Sequence, residues 1–369
     1  MRRSLICLFV TMVFLTGCID KRNIEDVSLV LLVGIDLDEN NDLLISASSP
    51  VFNKEATVKE EFYQVKAMTL RQSRDEFDKV FSALPSAAKT QVIMIGKRVL
   101  EHEDWFPLLD VFYRDARNTV NATVVMVDGT VYDIVSYLPK NKPRLPMYMT
   151  KLIRTVYYSN LTVKTSLQEL RRQMIEKGIT ASITQMQKKE EVVITGTALL
   201  DQKGKHVLSI DGEETKLLHI LQNKTQGVFS FTLTHPVKAA SNMFKPGAFS
   251  FSASGISAKT KVSHKDGKLK FDIEINMTAV LTDRHFKIDV RQEAPRLERE
   301  MAEILKSRFE RLIGKARAAK IDPFGYGLYA RAFAYDEWKK VQDRWGDAFS
   351  EADVNVNVKI KIGAMGPIH

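Results

Sequence analysis

The first apolar run of the chain decides where the rest must fold. Arg2 and Arg3 lead into an uncharged core from Leu5 to Leu15, and Asp20, Lys21, Arg22, Glu25 and Asp26 follow almost at once. A bilayer-spanning helix needs ~20 apolar residues. This run is shorter, with a positive start and an abrupt polar end, which is the layout of a secretory signal. Only two cysteines occur, Cys7 inside the signal and Cys18 directly after Gly17. Once residues 1–17 are removed the chain keeps Cys18 alone, so no internal disulfide can form.

An ordinary signal ends on small residues before the cut, whereas here Thr16 and Gly17 stand between Leu15 and a cysteine. LTGC resembles the bacterial lipoprotein box, in which the cysteine thiol is joined to a diacylglycerol and becomes the first residue after cleavage. Burial contributes about 0.8 kcal/mol per methylene, so one acyl chain anchors marginally and two anchor stably. Cys18 is expected to be that tether, and its thiol is then lost to redox or metal chemistry.

The 369 residues less the first 17 leave 352, more than one core usually holds, so two or three domains are expected. A chain 44% hydrophobic and 27% charged is an ordinary globular one. No later stretch is apolar for long enough to span a membrane. The net charge of +9 falls to +7 without Arg2 and Arg3. Nucleic acid is discounted as a partner, because an exported protein rarely meets it and the basic residues form no dense tract; attraction to lipid headgroups is the modest alternative.

The pattern along the chain predicts a mixed α/β, or α+β, fold. SLVLLVGID at 28–36 and LLISASS at 43–49 flank a turn-like DENND stretch and read as a hairpin. Helical spacing runs from Leu70 to Leu84 and stops at Pro85. Strands are expected at 91–96 and 122–129, helices at 105–115 and 130–138, a surface crossing at 139–148, and a helix at 167–178 ended by Gly178. These make an N-terminal mixed α/β domain over 18–190. A hairpin (192–200 and 206–211), a helix (213–221) and a strand (228–234) make a small middle unit over 191–245. The last domain, 246–369, reads as antiparallel strands at 249–263 and 268–282 around Asp266–Gly267 and a terminal strand at 354–363. Between them, Leu297, Met301, Ile304, Leu305, Phe309, Leu312 and Ile313 mark one long amphipathic helix.

A search for chemistry in the sequence names no catalytic residue. The histidines stand at 102, 206, 219, 235, 264, 285 and 369, never three to five apart, so no metal site is signalled. Neither a G-x-S-x-G elbow nor a Walker loop occurs. Gly325-Tyr-Gly327-Leu-Tyr-Ala330 fits G-x-G-x-x-A, but it follows a helix and Asp322-Pro323 rather than a strand, so a glycine-shaped turn is expected and no cofactor. Arg114, Asp115 and Arg117 are expected to pin a chain reversal or to meet a partner carboxylate. Glu213 and Glu214 suit the positive end of a helix. Trp338 and Trp345, seven apart, are expected on one buried helix face.

Four stretches occur together in one order: LTGCIDKRNIEDVSLVLLVGIDLD (15–38), YRDARNTVNATVVMVDGTVYDIV (113–135), GTALL with DGEETKLLHIL (196–221) and KIDPFGYGLYARAFAYDEWKKVQDRW (320–345). In these the chain resembles the Ger(x)C family, the lipoprotein C subunits of spore germination receptors, over essentially its whole length. Many members carry Trp beside the lipid cysteine, where Ile19 stands here. The resemblance implies three mixed α/β domains, no enzymatic activity, and a place on the outer face of the inner spore membrane. It also implies integral membrane partners of A and B type in a receptor that senses small nutrients. Within the shared stretches, Gly34, Asp36, Gly196, Glu214, Asp322, Pro323, Gly325 and Gly327 join Arg114, Asp115, Arg117, Trp338 and Trp345 as structural or partner-contact candidates. The rivals are a lipid-anchored solute-binding protein of a transporter, which wants a cleft between two lobes, and a tethered hydrolase, which lacks a nameable nucleophile and base.

Overall fold

The computed structural model describes residues 26–234, 248–265, 268–284 and 290–363. Cys18 and its signal, and the Asp266–Gly267 turn, lie outside the described residues. The apolar run at 28–36 is divided into β1 (Val27–Leu29) and β2 (Leu32–Leu37), and β2 forms the expected hairpin with β3 (Leu43–Pro50). The hairpin turn is built by Asp38, whose Oδ1 accepts from the backbone N–H groups of Asn40 and Asp42, both at 2.8 Å, while Asn41 takes φ 63°. Next to β3 lies β4 (Glu60–Lys66), which the pattern did not reveal.

The helix expected over 69–84 shrinks to α1 (Ser73–Phe77). Phe77 and Phe81 are buried, but Val80 and Leu84, on the same predicted stripe, are 42% and 43% exposed. So short a helix has little stability of its own, and Pro85 sits instead in β5 (Leu84–Ser86), a strand parallel to β1. β6 (Val92–Gly96) runs into α2 (Lys97–Leu100). The segment read as a helix at 105–115 is a 3-10 turn at Phe106–Leu109 followed by α3 (Asp110–Arg114). β7 (Thr123–Val127) and α4 (Val131–Val135) come next. The supposed surface crossing at 139–148 ends inside α5 (Leu145–Tyr158), with Pro146 in the first turn, where its missing N–H leaves nothing unsatisfied. α6 (Leu167–Ile175) is capped by the Ser166 hydroxyl, which accepts from Glu169 N.

β8 (Ser182–Lys188), β9 (Val192–Leu200) and β10 (His206–Ile210) complete an eight-stranded sheet in the order β10-β9-β8-β7-β6-β2-β3-β4. Its centre is parallel, β2 with β6, β6 with β7 and β7 with β8, and its flanks are antiparallel. Every residue of β6 and β7 is buried, as parallel strands covered on both faces require. Val33, Ile35, Ile93 and Val124 feed the core on one face, and Leu32, Val92, Met94 and Val125 the core on the other.

α7 (Gly212–Leu221) and β11 (Phe229–Thr234) follow, then β12 (Ala248–Lys265), β13 (Lys268–Arg284) and α8 (Val290–Ala318). α9 (Tyr326–Phe333), α10 (Tyr335–Val341), α11 (Trp345–Glu351) and β14 (Asp353–Ile362) end the chain. The second sheet has the order β11-β12-β13-β14. β11 to β13 are antiparallel as expected; β14 differs and lies parallel to β13, because the helices between them carry the chain back across the sheet. Leu297, Met301, Leu305, Phe309, Leu312 and Ile313 of α8 are buried against this sheet, on the stripe the sequence period predicts. The unit expected over 191–245 is divided in its described part, 191–234: β9 and β10 belong to the first sheet, whereas Leu218, Ile220 and Leu221 of α7 and Phe229 of β11 enter the core of the second. The fold is a mixed α+β one. Among the described residues no helix is long and apolar enough to cross a membrane.

Candidate functional site

Three carboxylates are buried among the described residues, Asp36, Glu60 and Asp322. A buried charge is tolerated only when hydrogen bonds replace its water. Asp36 Oδ2 accepts from Val131 N at the start of α4, and Oδ1 from Leu37 N, each at 2.9 Å. Gly96 and Gly34 leave the room this needs: a Cβ on Gly96 would stand 2.2 Å from Asp36 Oδ1, and one on Gly34 2.5 Å from Val131 Cγ1. Glu60, which the sequence did not mark, does the same for α5. Its Oε2 accepts from Leu145 N at 3.0 Å, and its Oε1 from the Ser48 hydroxyl. Burial pushes both carboxyls above their ordinary pKa, against the lowering effect of these bonds. Each is a cap supplied to a helix N-terminus from a distant strand.

Asp322 is the most enclosed, with 0% exposure. Its Oδ1 accepts from Gly325 N at 2.9 Å and Phe324 N at 3.2 Å, and its Oδ2 from Gly327 N at 2.8 Å and the indole Nε1 of Trp345 at 2.9 Å. Gly325 takes φ +83°, the left-handed conformation that lets the loop wrap the carboxylate. The G-x-G-x-x-A match is thus a cage for a side chain of this chain. Burial lifts the Asp322 carboxyl to about 6, opposed by the hydrogen bonds from Gly327 N, the Trp345 indole and Gly325 N. With both oxygens occupied and no exposed surface, it has no free edge to act as a base.

The same loop joins the two sheets. Asp322 O accepts from Thr180 N at 2.9 Å, and Pro323 O from the Gln222 side chain at 2.6 Å. A Cβ on Gly327 would stand 2.5 Å from Gly178 Cα and 2.8 Å from Trp345 Cε2, so two backbones touch here. Arg331 reaches Glu176 at 2.9 and 3.1 Å, and Lys177 reaches Asp343 at 2.6 Å. Gly178, expected only as a helix stop, is therefore a contact point.

The remaining candidates are dispersed. Trp338 and Trp345 are both buried, but on separate helices, α10 and α11, divided by a 3-10 turn at Gln342–Arg344; the single helix face expected for them does not exist. The 3-10 turn breaks the period at the point where Trp345 swings in to Asp322. Trp338 instead lies under the Arg331 guanidinium, 5.6 Å from its ring. Arg114 pairs with Asp110 one turn back, not with Asp115. Asp115 receives Arg117 through its backbone N and Nε at 3.0 Å and Nη2 at 2.8 Å, a local turn clamp that holds the carboxyl down to about 2. Gly196, at φ +147°, lies where a Cβ would meet Ile210 O at 2.1 Å. Glu214 completes a capping box with Asp211 and also pairs with Lys315 of α8 at 2.6 Å. A buried His219–Asn160 pair, Nδ1 to Oδ1 at 2.7 Å, gave no sequence signal. Among the described residues no group of three or more His, Cys, Asp or Glu could hold a metal ion.

Comparison with known proteins divides the chain between residues 188 and 195, at the β8–β9 connection inside the first sheet. The family described as "Spore germination protein N-terminal domain" matches residues 20–188, and "Spore germination B3/ GerAC like, C-terminal" matches 195–366. The chain belongs to the Ger(x)C family. Spore germination protein B3 of Bacillus subtilis (strain 168) is 23% identical, over 98% of this chain and 97% of that protein. Spore germination protein A3 of the same organism is 22% identical, over 99% and 98%. The crystal structure of the GerBC protein superposes with a TM-score of 0.58 at 17% identity, covering 90% of this chain and 97% of that one, which establishes a shared fold. In this Ger(x)C chain Thr180 and Gly178 lie in the N-terminal match and Asp322 and Gly327 in the C-terminal one, so the caged carboxylate sits where the two matched regions meet.

Proposed function

We propose that the chain is a membrane-anchored lipoprotein subunit of a nutrient germinant receptor, needed to trigger spore germination through contacts with integral membrane subunits of A and B type. Diacylated Cys18 holds it at the outer face of the inner spore membrane, and it carries no enzymatic activity. The observation that supports this most is the end-to-end correspondence with two spore germination proteins, 97% and 98% of whose lengths are covered. LTGC at the start of the chain supports the anchor. The sealed state of Asp322 supports a structural rather than a chemical role for that carboxylate. Fractionation of cells carrying Cys18→Ala tests the reading: the folded chain moves from the membrane to the soluble fraction, incorporation of labelled palmitate is lost, and spores lose their response to one set of germinants. Full membrane retention of the variant contradicts the anchor, and unaltered germination contradicts the receptor role.

A further inference from the structure

A cavity of about 540 Å³ opens beside the first sheet, at the end of the molecule where the described chain begins. Its floor is apolar and belongs to the core of the first sheet: Val33 and Ile45 from β2 and β3, Phe77 from α1 and Phe112 from α3, all buried. Val27 of β1 and Leu84 of β5 form a wall. The size falls within the ~300–1,000 Å³ of ordinary ligand pockets. Its rim is cationic, with Arg71, Arg74 and Arg117. Among the described residues Asp115 is the only carboxylate lining it, and both Asp115 oxygens hold Arg117. Arg71 lies near enough to help hold down the Asp115 carboxyl, yet among the described residues neither Arg71 nor Arg74 is within ion-pair distance of any carboxylate.

These features select among ligands. An apolar floor under two uncommitted guanidinium groups favours a molecule with an apolar body and an anionic head. A zwitterion is less well matched, because its ammonium meets no free carboxylate among the described lining residues. We propose that this cavity binds an amphipathic anion, an acyl chain with a single anionic head, its chain laid on the β2–β3 face and its head between Arg71 and Arg74. Val27 follows Cys18 by nine residues, at most ~30 Å of extended chain, so the cavity mouth is within reach of the bilayer. That nearness rests on the anchoring proposed above; the size and charge of the cavity do not.

Photo-crosslinking of the full chain in its membrane tests this. The probes are a diazirine-bearing palmitate, a diazirine-bearing phosphatidylglycerol and a diazirine-bearing long-chain alcohol, with sites read by peptide mass spectrometry. Expected is labelling of peptides spanning 70–88 and 111–118 by at least one anionic probe, at least tenfold above the alcohol. Labelling by palmitate alone identifies a free fatty acid as the ligand, and labelling by phosphatidylglycerol identifies a membrane lipid. Ala47→Trp, which fills the floor, and the doubly substituted Arg71→Glu, Arg74→Glu chain, altered only at the rim, each lower the labelling at least tenfold. Undiminished labelling of the rim variant, equal labelling by the alcohol, or full competition by millimolar phenylalanine overturns the proposal. The Cys18→Ala chain in solution separates the two readings. Its cavity takes at least one of the two anionic probes, added in detergent micelles, even if the anchor reading fails, and absence of labelling by both overturns the cavity inference while leaving anchoring untouched.

Discussion

Replacing Asp322 by Asn keeps the size of the side chain and removes half of its accepting power. The carboxylate presents two oxygens to four N–H groups, two on each. An amide presents one oxygen and one NH2, so either orientation leaves two buried donors facing a third. An unsatisfied buried donor costs about 1–3 kcal/mol. The loss is partly offset because the amide carries no buried charge, the same burial that lifts the carboxyl to about 6. At pH 7 the balance is a destabilisation of about 2 kcal/mol. The pH dependence has a definite sign. A carboxyl raised from its ordinary 3.8 to about 6 binds its proton more tightly in the fold than in the unfolded chain. Wild type therefore gains stability relative to Asp322→Asn as pH falls from about 6 to about 4, by up to about 3 kcal/mol, and the gap is smallest above pH 6. Urea unfolding of the chain from Asp20 onward, followed by tryptophan fluorescence to which Trp345 contributes directly, measures both quantities. An Asp322→Asn chain as stable as wild type at pH 7, or a gap that narrows on acidification, would refute the cage as described.

Gly327→Val forces a side chain against the Gly178 backbone, which cannot yield as a flexible side chain would, and lowers unfolding stability by about 3 kcal/mol in the same assay; Gly325→Val, strained at φ +83°, costs about 1–2 kcal/mol. Burial lowers His219 to about 4, so its share of stability is complete above pH 6.5 and is lost as pH falls toward 4. His219→Gln, which retains a partner for Asn160, removes that loss, and comparison of unfolding midpoints at pH 5 and 7.5 checks it. Millimolar amino acids, sugars or nucleosides produce no reproducible thermal shift in the chain from Asp20 onward, whereas a solute-binding protein would gain about 2.7 kcal/mol at a hundredfold excess over Kd.

What the sequence disclosed follows from how local each signal is. The strands β6 and β7 are apolar on both faces, and α8 keeps a 3.6-residue period over four turns and more, so burial alone marks them. The capping box at Asp211 and Glu214 is written in adjacent residues. β4 and β8 carry Glu, Gln and Thr whose partners lie elsewhere in the fold, such as Glu60 with Leu145 N and Thr184 with Val163 O, so their polarity hid them. α5 begins at a proline-rich stretch that composition assigns to a loop, and only the burial of Leu145, Met149 and Ile153 makes it a helix. Asp322, Gly325 and Gly327 stood out as a loop worth watching. The cage itself was not legible, because its fourth donor comes from Trp345, twenty-three residues on, and its backbone partner from Thr180 in the other sheet. Likewise the charges at 114–117 read as one cluster, but geometry splits them into the Asp110–Arg114 and Asp115–Arg117 pairs.

The most direct test of the receptor account is isolation of the tagged, lipidated chain from dormant-spore inner membranes under mild detergent, with its companions identified by mass spectrometry. The account predicts that integral membrane germinant-receptor subunits of A and B type are recovered with it, and are lost from the isolate when Cys18→Ala frees the chain. Recovery of a transporter permease in their place, or of the chain with no integral membrane partner, would contradict it.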